Sequence, residues 1–538
     1  MKYNRLTFLA ATILLILLVF SCAKRGSLTG GPEDETPPEF VRSSPPNYST
    51  NFKSNEIRIY FDELIKLEDP QKQIVISPPI KNKPEITPLG IPGKYIKIKF
   101  NDTLIENTTY TINFGESVVD NNESNPLPFF QYVFSTGPVL DSLSFKGSVK
   151  DAFKKKLDEY VSVYLYEINE KHSDSSVFKD PPRYISSTLD STLFEFKNLK
   201  AGKYQLIALK DNNSNYTFEP KSDKIGFVSE PINIPEDSIA NITIFKEVPE
   251  FKFLRAKQVS KNKFIVSYQG LLDSVKVNVL GDTPPDLKTR FLKEKDKDTL
   301  NIWVTPFFEQ DSLVFYLKNN GISDTIVSRY KDQYRDSLRV QMKNSNTLKL
   351  SENVVLTANN PMEEFNAEKV KIVDQDTVEI DFKETMDTIK NEIQLLFEKK
   401  EEKSYALQIL PEAITDFLGS KNDTISLNVG TKKQSEYGTL LLNFEGIKEW
   451  PVMVQLLKNP DEPEFEEELI LGEGKKSLTF NSVEPGDYFV KLIFDTNANK
   501  KWDTGNFLKK VMPERIYYFE KPITVRPNWD VKQIITVE

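Results

Sequence analysis

The chain has 538 residues, 39% of them hydrophobic and 28% charged, with a formal net charge of −9. That length holds several cores, roughly four or five domains of about 100 residues each, and the composition excludes a disordered or membrane-spanning class. The acidic balance argues against a nucleic-acid partner, which needs clustered basic surface. One cysteine and one histidine exclude an internal disulfide and leave little for zinc binding or acid–base catalysis.

At the amino terminus, Lys2 and Arg5 precede an apolar run from Leu6 to Phe20. The run is too short to span a bilayer comfortably and reads as a signal peptide, residues 1–21. It ends in Val19-Phe20-Ser21-Cys22, which resembles a bacterial lipobox, Phe20 being bulkier than the residue usual there. The resemblance implies that Cys22 is lipidated and becomes the first residue, giving stable anchoring without a spanning helix. Residues 22–36, "CAKRGSLTGGPEDET", read as a flexible tether. Ala23 after the cysteine favours the outer membrane; the acidic trio Glu33-Asp34-Glu35 resembles a surface-export signal but lies further from Cys22 than such signals do, so the surface is favoured with the periplasmic side left open.

Beyond the tether, period-2 alternation dominates, and the 36 Phe and 21 Tyr strengthen the β expectation. Ile57, Ile59 and Phe61 alternate with Arg58 and Tyr60; Ile96, Ile98 and Phe100 alternate with Lys97 and Lys99. Val161, Val163 and Leu165, then Val275, Val277 and Val279, repeat the pattern. Such strands bury one face, and the turn signals between them (Pro45-Pro46, Pro78-Pro79, Pro181-Pro182, Pro284-Pro285) predict an all-β chain of tandem β-sandwiches.

Residues 37–138 form the first unit. "PPNYSTNFKSNEIRIYFDELIKL", "YTINFGESVVDNNESN" and "YVFSTGP" resemble the bacterial Ig-like domain of S-layer proteins and Bacteroidota lipoproteins. "IDFKE" (380–384) echoes "IYFDE" (59–63), and "YALQILPEAITDFLGSKND" echoes the second of those segments, predicting a second Ig-like unit over 336–433. Two further segments, "FKNLKAGKYQLIALKDNNSN" (196–215) and "FNSVEPGDYFVKLIFDTNAN" (480–499), align without a gap. Phe196/Phe480, Gly202/Gly486, Tyr204/Tyr488 and Asp211/Asp495 all share one spacing, 284 positions, the mark of an internal repeat. Their pattern resembles carboxypeptidase-regulatory or transthyretin-like sandwiches, expected over 139–248 and 434–538, with a β-domain of unassigned type over 249–335.

Each repeat ends in an oxygen-rich loop. Asp495, Asn497, Asn499 and Asp503 fall at positions 1, 3, 5 and 9 of an EF-hand-like spacing, matched by Asp211, Asn213, Asn215 and Glu219. Against calcium, position 6 is Lys500 or Tyr216 where the loop needs Gly, and position 12 is Asn506 or Ser222 where it needs Glu. Two readings stand, a structural calcium site and an Asx-rich turn. Other chemistry is sparse: "GEGKKS" (472–477) fails as a phosphate loop and reads as a hairpin turn, and His172 lies in a polar stretch. Trp303, Trp450, Trp502 and Trp529 are candidates for sugar stacking or for core. The expectation is therefore a non-catalytic outer-membrane lipoprotein without a cofactor, structural calcium aside. It would serve as scaffold or accessory subunit of an envelope complex beside an outer-membrane β-barrel, the alternative being a glycan- or calcium-binding surface lipoprotein.

Overall fold

The computed structural model describes residues 34–170, 172–189, 191–294 and 297–537. The signal peptide, Cys22 and the tether up to Glu33 — a residue of the expected acidic trio — lie outside them, as far as position 33. Strands make up 49% of the chain and helix 3%, so the fold is all-β. The described residues divide into two compact units, those up to 143 with 197–200, and those from 144 to 196 with those from 201 on.

In the first unit, one sheet has the order β1 (Phe40–Ser44), β2 (Glu56–Leu67), β5 (Gly93–Lys99), β4 (Glu85–Thr87). The facing sheet has the order β3 (Val75–Ser77), β6 (Thr109–Asn113), β8 (Gln131–Ser135). A short strand, β7 (Val118–Asp120), pairs with the far end of β2. Four strands over three, in this order, is the immunoglobulin constant-type arrangement. Ile57, Ile59 and Phe61 are buried while Arg58 between them is exposed, and Ile96, Ile98 and Phe100 complete the same core.

The second unit opens with β9 (Leu143–Asp151), β10 (Ser162–Glu167), β11 (Tyr184–Ser187) and β12 (Leu193–Leu199). It continues with β13 (Gly202–Lys210), β14 (Lys224–Phe227), β15 (Ile232–Ile234) and β16 (Ile239–Phe245). Their order is β11-β10-β13-β14-β16-β9-β12, with β15 on β13 and with β16 parallel to β9.

The stretch without an assigned type is a four-over-three sandwich as well. One sheet runs β17 (Lys252–Ser260), β18 (Lys263–Gln269), β21 (Thr299–Thr305), β20 (Lys288–Lys293); the other runs β19 (Val275–Leu280), β22 (Ser312–Asn319), β23 (Ile322–Arg329). The next sandwich has β24 (Val340–Met342), β26 (Val354–Ala358), β30 (Glu392–Phe397) and β29 (Phe382–Asp387) in one sheet. The other holds β25 (Thr347–Leu348), β33 (Ile425–Thr431), β31 (Ser404–Ile409) and β28 (Val370–Asp374), and β27 (Met362–Phe365) pairs with β32 (Ile414–Asp416) as β2 does with β7. The two echoes quoted from the sequence fare differently. Ile59–Glu63 lies in the second strand of its sandwich, whereas Phe382 and Glu384 lie in the edge strand β29, so that match is accidental. The other is structural. Tyr110 in β6 and Tyr405 in β31 occupy the same central strand, and each hydroxyl accepts a backbone N–H five residues upstream, from Ile105 at 2.9 Å and from Lys400 at 2.7 Å. Both are tyrosine corners.

The last sandwich comprises β34 (Gly438–Glu445), β35 (Val452–Leu457), β36 (Glu467–Leu471), β37 (Ser477–Val483), β38 (Gly486–Phe494), β39 (Ile516–Tyr518), β40 (Ile523–Val525) and β41 (Asp530–Thr536). It repeats β9–β16 strand for strand: β34 is parallel to β41, β37 pairs β34, and β38 pairs β35, β39 and β40. One joint differs, since β14 pairs β16 while β39 and β41 stay in separate sheets. "GEGKKS" connects β36 to β37, which belong to different sheets, so it is an inter-sheet crossing and not a hairpin.

Tyr405→Phe leaves the Lys400 N–H without its acceptor and is expected to destabilise that sandwich by about 1–2 kcal/mol. The measurement is the denaturant midpoint for loss of hydrogen-exchange protection in β31; an unchanged midpoint contradicts the role of the corner.

Candidate functional site: the paired loops and the interlock of the repeats

The Asp/Asn loops follow β13 and β38, and positions 4 and 6 of both turn into the left-handed region. Ser214 and Tyr216 have φ of 53° and 65°, and Ala498 and Lys500, at the same repeat positions, have 58° and 61°. The left-handed turn that calls for glycine is thus made without one. The Asp side chains hold it. Asp211 accepts N–H bonds from Asn213, Asn215 and Tyr216 at 3.1, 3.4 and 2.8 Å. Asp495, 1% exposed, accepts from Asn499 and Lys500 at 3.0 and 2.8 Å. These are Asx turns in which a carboxylate satisfies amides that the loop would otherwise leave unpaired.

The remaining candidates converge on position 9. Asn213 and Asn215 each donate a side-chain N–H to Glu219 at 2.8 Å. Asn497 and Asn499 donate to Asp503 Oδ2 at 2.5 and 2.7 Å. All eight residues are therefore brought together, four to a loop. Binding calcium would require the amides to turn and present Oδ1 in place of Nδ2. Among the described residues, no three His, Cys, Asp or Glu side chains are grouped so as to hold a metal ion.

Sequence reading missed a further carboxylate in each loop. Asp223 accepts from Asn212 and Glu219 N–H at 3.2 and 2.9 Å. Glu514 accepts from Thr496 and Asp503 N–H, the same two repeat positions, at 3.0 and 3.1 Å. Burial and the nearby Asp503 and Asp495 push the Glu514 carboxyl above its usual range, against the pull of those two bonds. The second loop is longer than the first, so Glu514 falls out of the repeat frame; only the shared carboxylate-after-loop could have signalled it.

The extra length reaches another sandwich. Phe507 is fully buried, its ring 5.4 Å from Phe227 and 6.3 Å from Phe178 of the first repeat. Its backbone N–H donates to Glu247, whose carboxyl is raised by burial, and the Thr504 hydroxyl donates to Lys246 O at 2.6 Å. Gly505 fits because any Cβ there would lie 2.7 Å from the Phe245 ring. Lys510 pairs with Asp174 at 2.6 Å. In return, the loop after β9 lies on the outer face of β38 and β39. Tyr518 OH donates to Phe153 O at 2.5 Å, Lys155 donates to Glu520 O at 2.8 Å, and Trp502 packs 5.0 Å from the Phe153 ring. The two repeats thus hold each other reciprocally. Lys491 sits at the centre of this contact, 0% exposed and without a hydrogen-bond acceptor among the described residues, its Nζ 3.4 Å from the Phe153 ring centroid. Burial lowers its pKa to about 8 in spite of Asp151 and Glu468 nearby.

Elsewhere the candidates other than Trp529 are structural. His172 Nε2 lies 2.9 Å from Gln205 Oε1, half-buried and not free in solvent. Trp303 is buried and donates to Asn360 Oδ1, Trp502 donates to Glu514 O, Trp450 packs on the last core, and Trp529 is exposed.

Lys491→Met provides a pH test. The buried amine loses its proton near pH 8 and a solvated one near 10.4, so between those values the unfolded chain carries more protons and stability rises with pH. Below pH 8 the buried charge costs its full amount. The variant is expected to be roughly 1–3 kcal/mol more stable than the parent at pH 7, with the difference shrinking towards pH 10. Denaturant melts of both proteins across this range measure it, and a constant difference would contradict a buried charge.

No curated protein matches the chain. Among solved structures, the S-layer protein rSbsC is 11% identical, covering 90% of this chain and 67% of its own, with a TM-score of 0.17. An I-band fragment of titin is 12% identical, covering 53% of this chain and 98% of its own, with a TM-score of 0.12. By sequence, residues 34–136, the four-over-three sandwich of the first unit, match the bacterial Ig-like domain.

Proposed function

We propose that the chain is a non-catalytic surface lipoprotein, held in the outer membrane through lipid on Cys22, that serves as scaffold or accessory subunit of an envelope complex. An outer-membrane β-barrel is the candidate partner. The reciprocal interlock of the two repeats carries this reading. At that contact the buried Phe507 ring and the buried Lys491, whose pKa is lowered, hold sandwich against sandwich. The Ig-like domain supports a non-enzymatic surface or adhesion-type protein, as does the engagement of the one histidine with Gln205. Phe507→Asp should open the interlock while each sandwich stays folded. Pull-down of the full-length protein from detergent-solubilised membranes is then expected to lose its stoichiometric partner. A parent protein that brings down no barrel, and is retained on polysaccharide, would favour the glycan-binding alternative. Cys22→Ser is expected to release the chain from the membrane fraction; a lipid-free, full-length chain that stays there overturns the anchor.

The convergence of positions 3, 5 and 9 in both copies favours a second reading, in which calcium stiffens the loops. Chelation should then lower the melting temperature, and Asp495→Ala should remove that sensitivity. An identical melt with and without chelator leaves the polar turn alone.

A further inference from the structure

Two edges of the third sandwich are open on the same side. Among the described residues, β19 pairs only with β22, and β20 only with β21. Between them lies a groove of about 590 Å³, lined by Leu272, Val275, Phe291, Leu300 and the hairpin tip at Ile389. It continues past Arg290 and Thr388 into a cavity of about 340 Å³ reaching Met362 and Phe417. Phe291 stands opposite Ile302 on the core side of the sheet yet is 37% exposed. The corner is uncovered where a closed sandwich would bury it.

The backbone of β20 is open as well. Glu294 N–H donates to Thr299 O, which extends the β20–β21 ladder by one pair. Bonding alternates along an antiparallel pair, so Arg290 and Leu292 bond β21, while the N–H and C=O of Thr289, Phe291 and Lys293 point out of the sheet. Lys288, Arg290 and Lys293 border the groove, against Asp273 and Glu363, on a chain of net charge −9. Two copies of this edge would bring like charges together, which disfavours self-pairing.

We infer that this edge binds an extended acidic segment of a partner protein, added to β20 as a further strand. Its apolar side chains lie on Phe291 and Val275, and its carboxylates meet Lys288 and Arg290. The inference goes beyond the scaffold reading and does not depend on the anchor at Cys22.

The probe is a short acetylated peptide alternating Glu and Val, with its Lys/Val counterpart, titrated against the full-length protein by fluorescence anisotropy. Saturable binding of the acidic peptide is expected, at least about tenfold tighter than the basic one and weakening with salt. Hydrogen exchange should slow at Thr289, Phe291 and Lys293 and not at Arg290 or Leu292. Phe291→Asp and Lys288→Glu should each weaken binding with an unchanged melting temperature; Lys288, exposed, serves if the Phe291 variant misfolds. No saturable binding, equal binding of both peptides, or protection elsewhere overturns the inference.

Discussion

Burial of Phe507 in the first repeat is the contact on which the second unit depends. Its N–H reaches Glu247 from 260 residues away, and its ring meets Phe178 and Phe227. A contact of such sequence separation forms only at a high cost in chain entropy. It persists because several terms add: a fully buried aromatic, an ion pair to Asp174, and the return contact of Phe153 on Tyr518 and Lys491. Lys491 works against the rest, since its charge is taken from water with the rings of Phe153 and Tyr518 and the nearby Asp151 and Glu468 in exchange, and no hydrogen bond among the described residues.

Much of the fold was legible because sandwiches write their pattern locally. Ile57, Ile59 and Phe61 announce a strand with one dry face, and the shared spacing of Gly202/Gly486 and Asp211/Asp495 announces the repeat, whose pairings recur strand for strand. Where burial is partial, the signal fades. Val275 and Val279 are only half-buried, and the immunoglobulin topology around them lies in pairing order, which no local pattern encodes.

The loops show the opposite limit. All eight expected residues come together, but the missing glycine was a poor argument, because Asp211 and Asp495 hold Tyr216 and Lys500 in the left-handed region by direct bonds to their N–H groups. Asp223 and Glu514 were hidden by the difference in loop length. Phe153, Phe507 and Lys491 looked like ordinary loop and strand residues, since their partners stand in another sandwich and leave no trace in the neighbouring sequence.

The interlock also changes how tension would pass through the second unit. Residues 249–433 connect the two repeats covalently, and Phe507 and Phe153 connect them directly. A pull applied between the start of the first repeat and the end of the last meets the direct joint first. The two intervening sandwiches would then be shielded by a bypass and bear load only after Phe507 has left its seat. The direct joint is non-covalent, so its rupture would lengthen the path between the two repeats without breaking the chain.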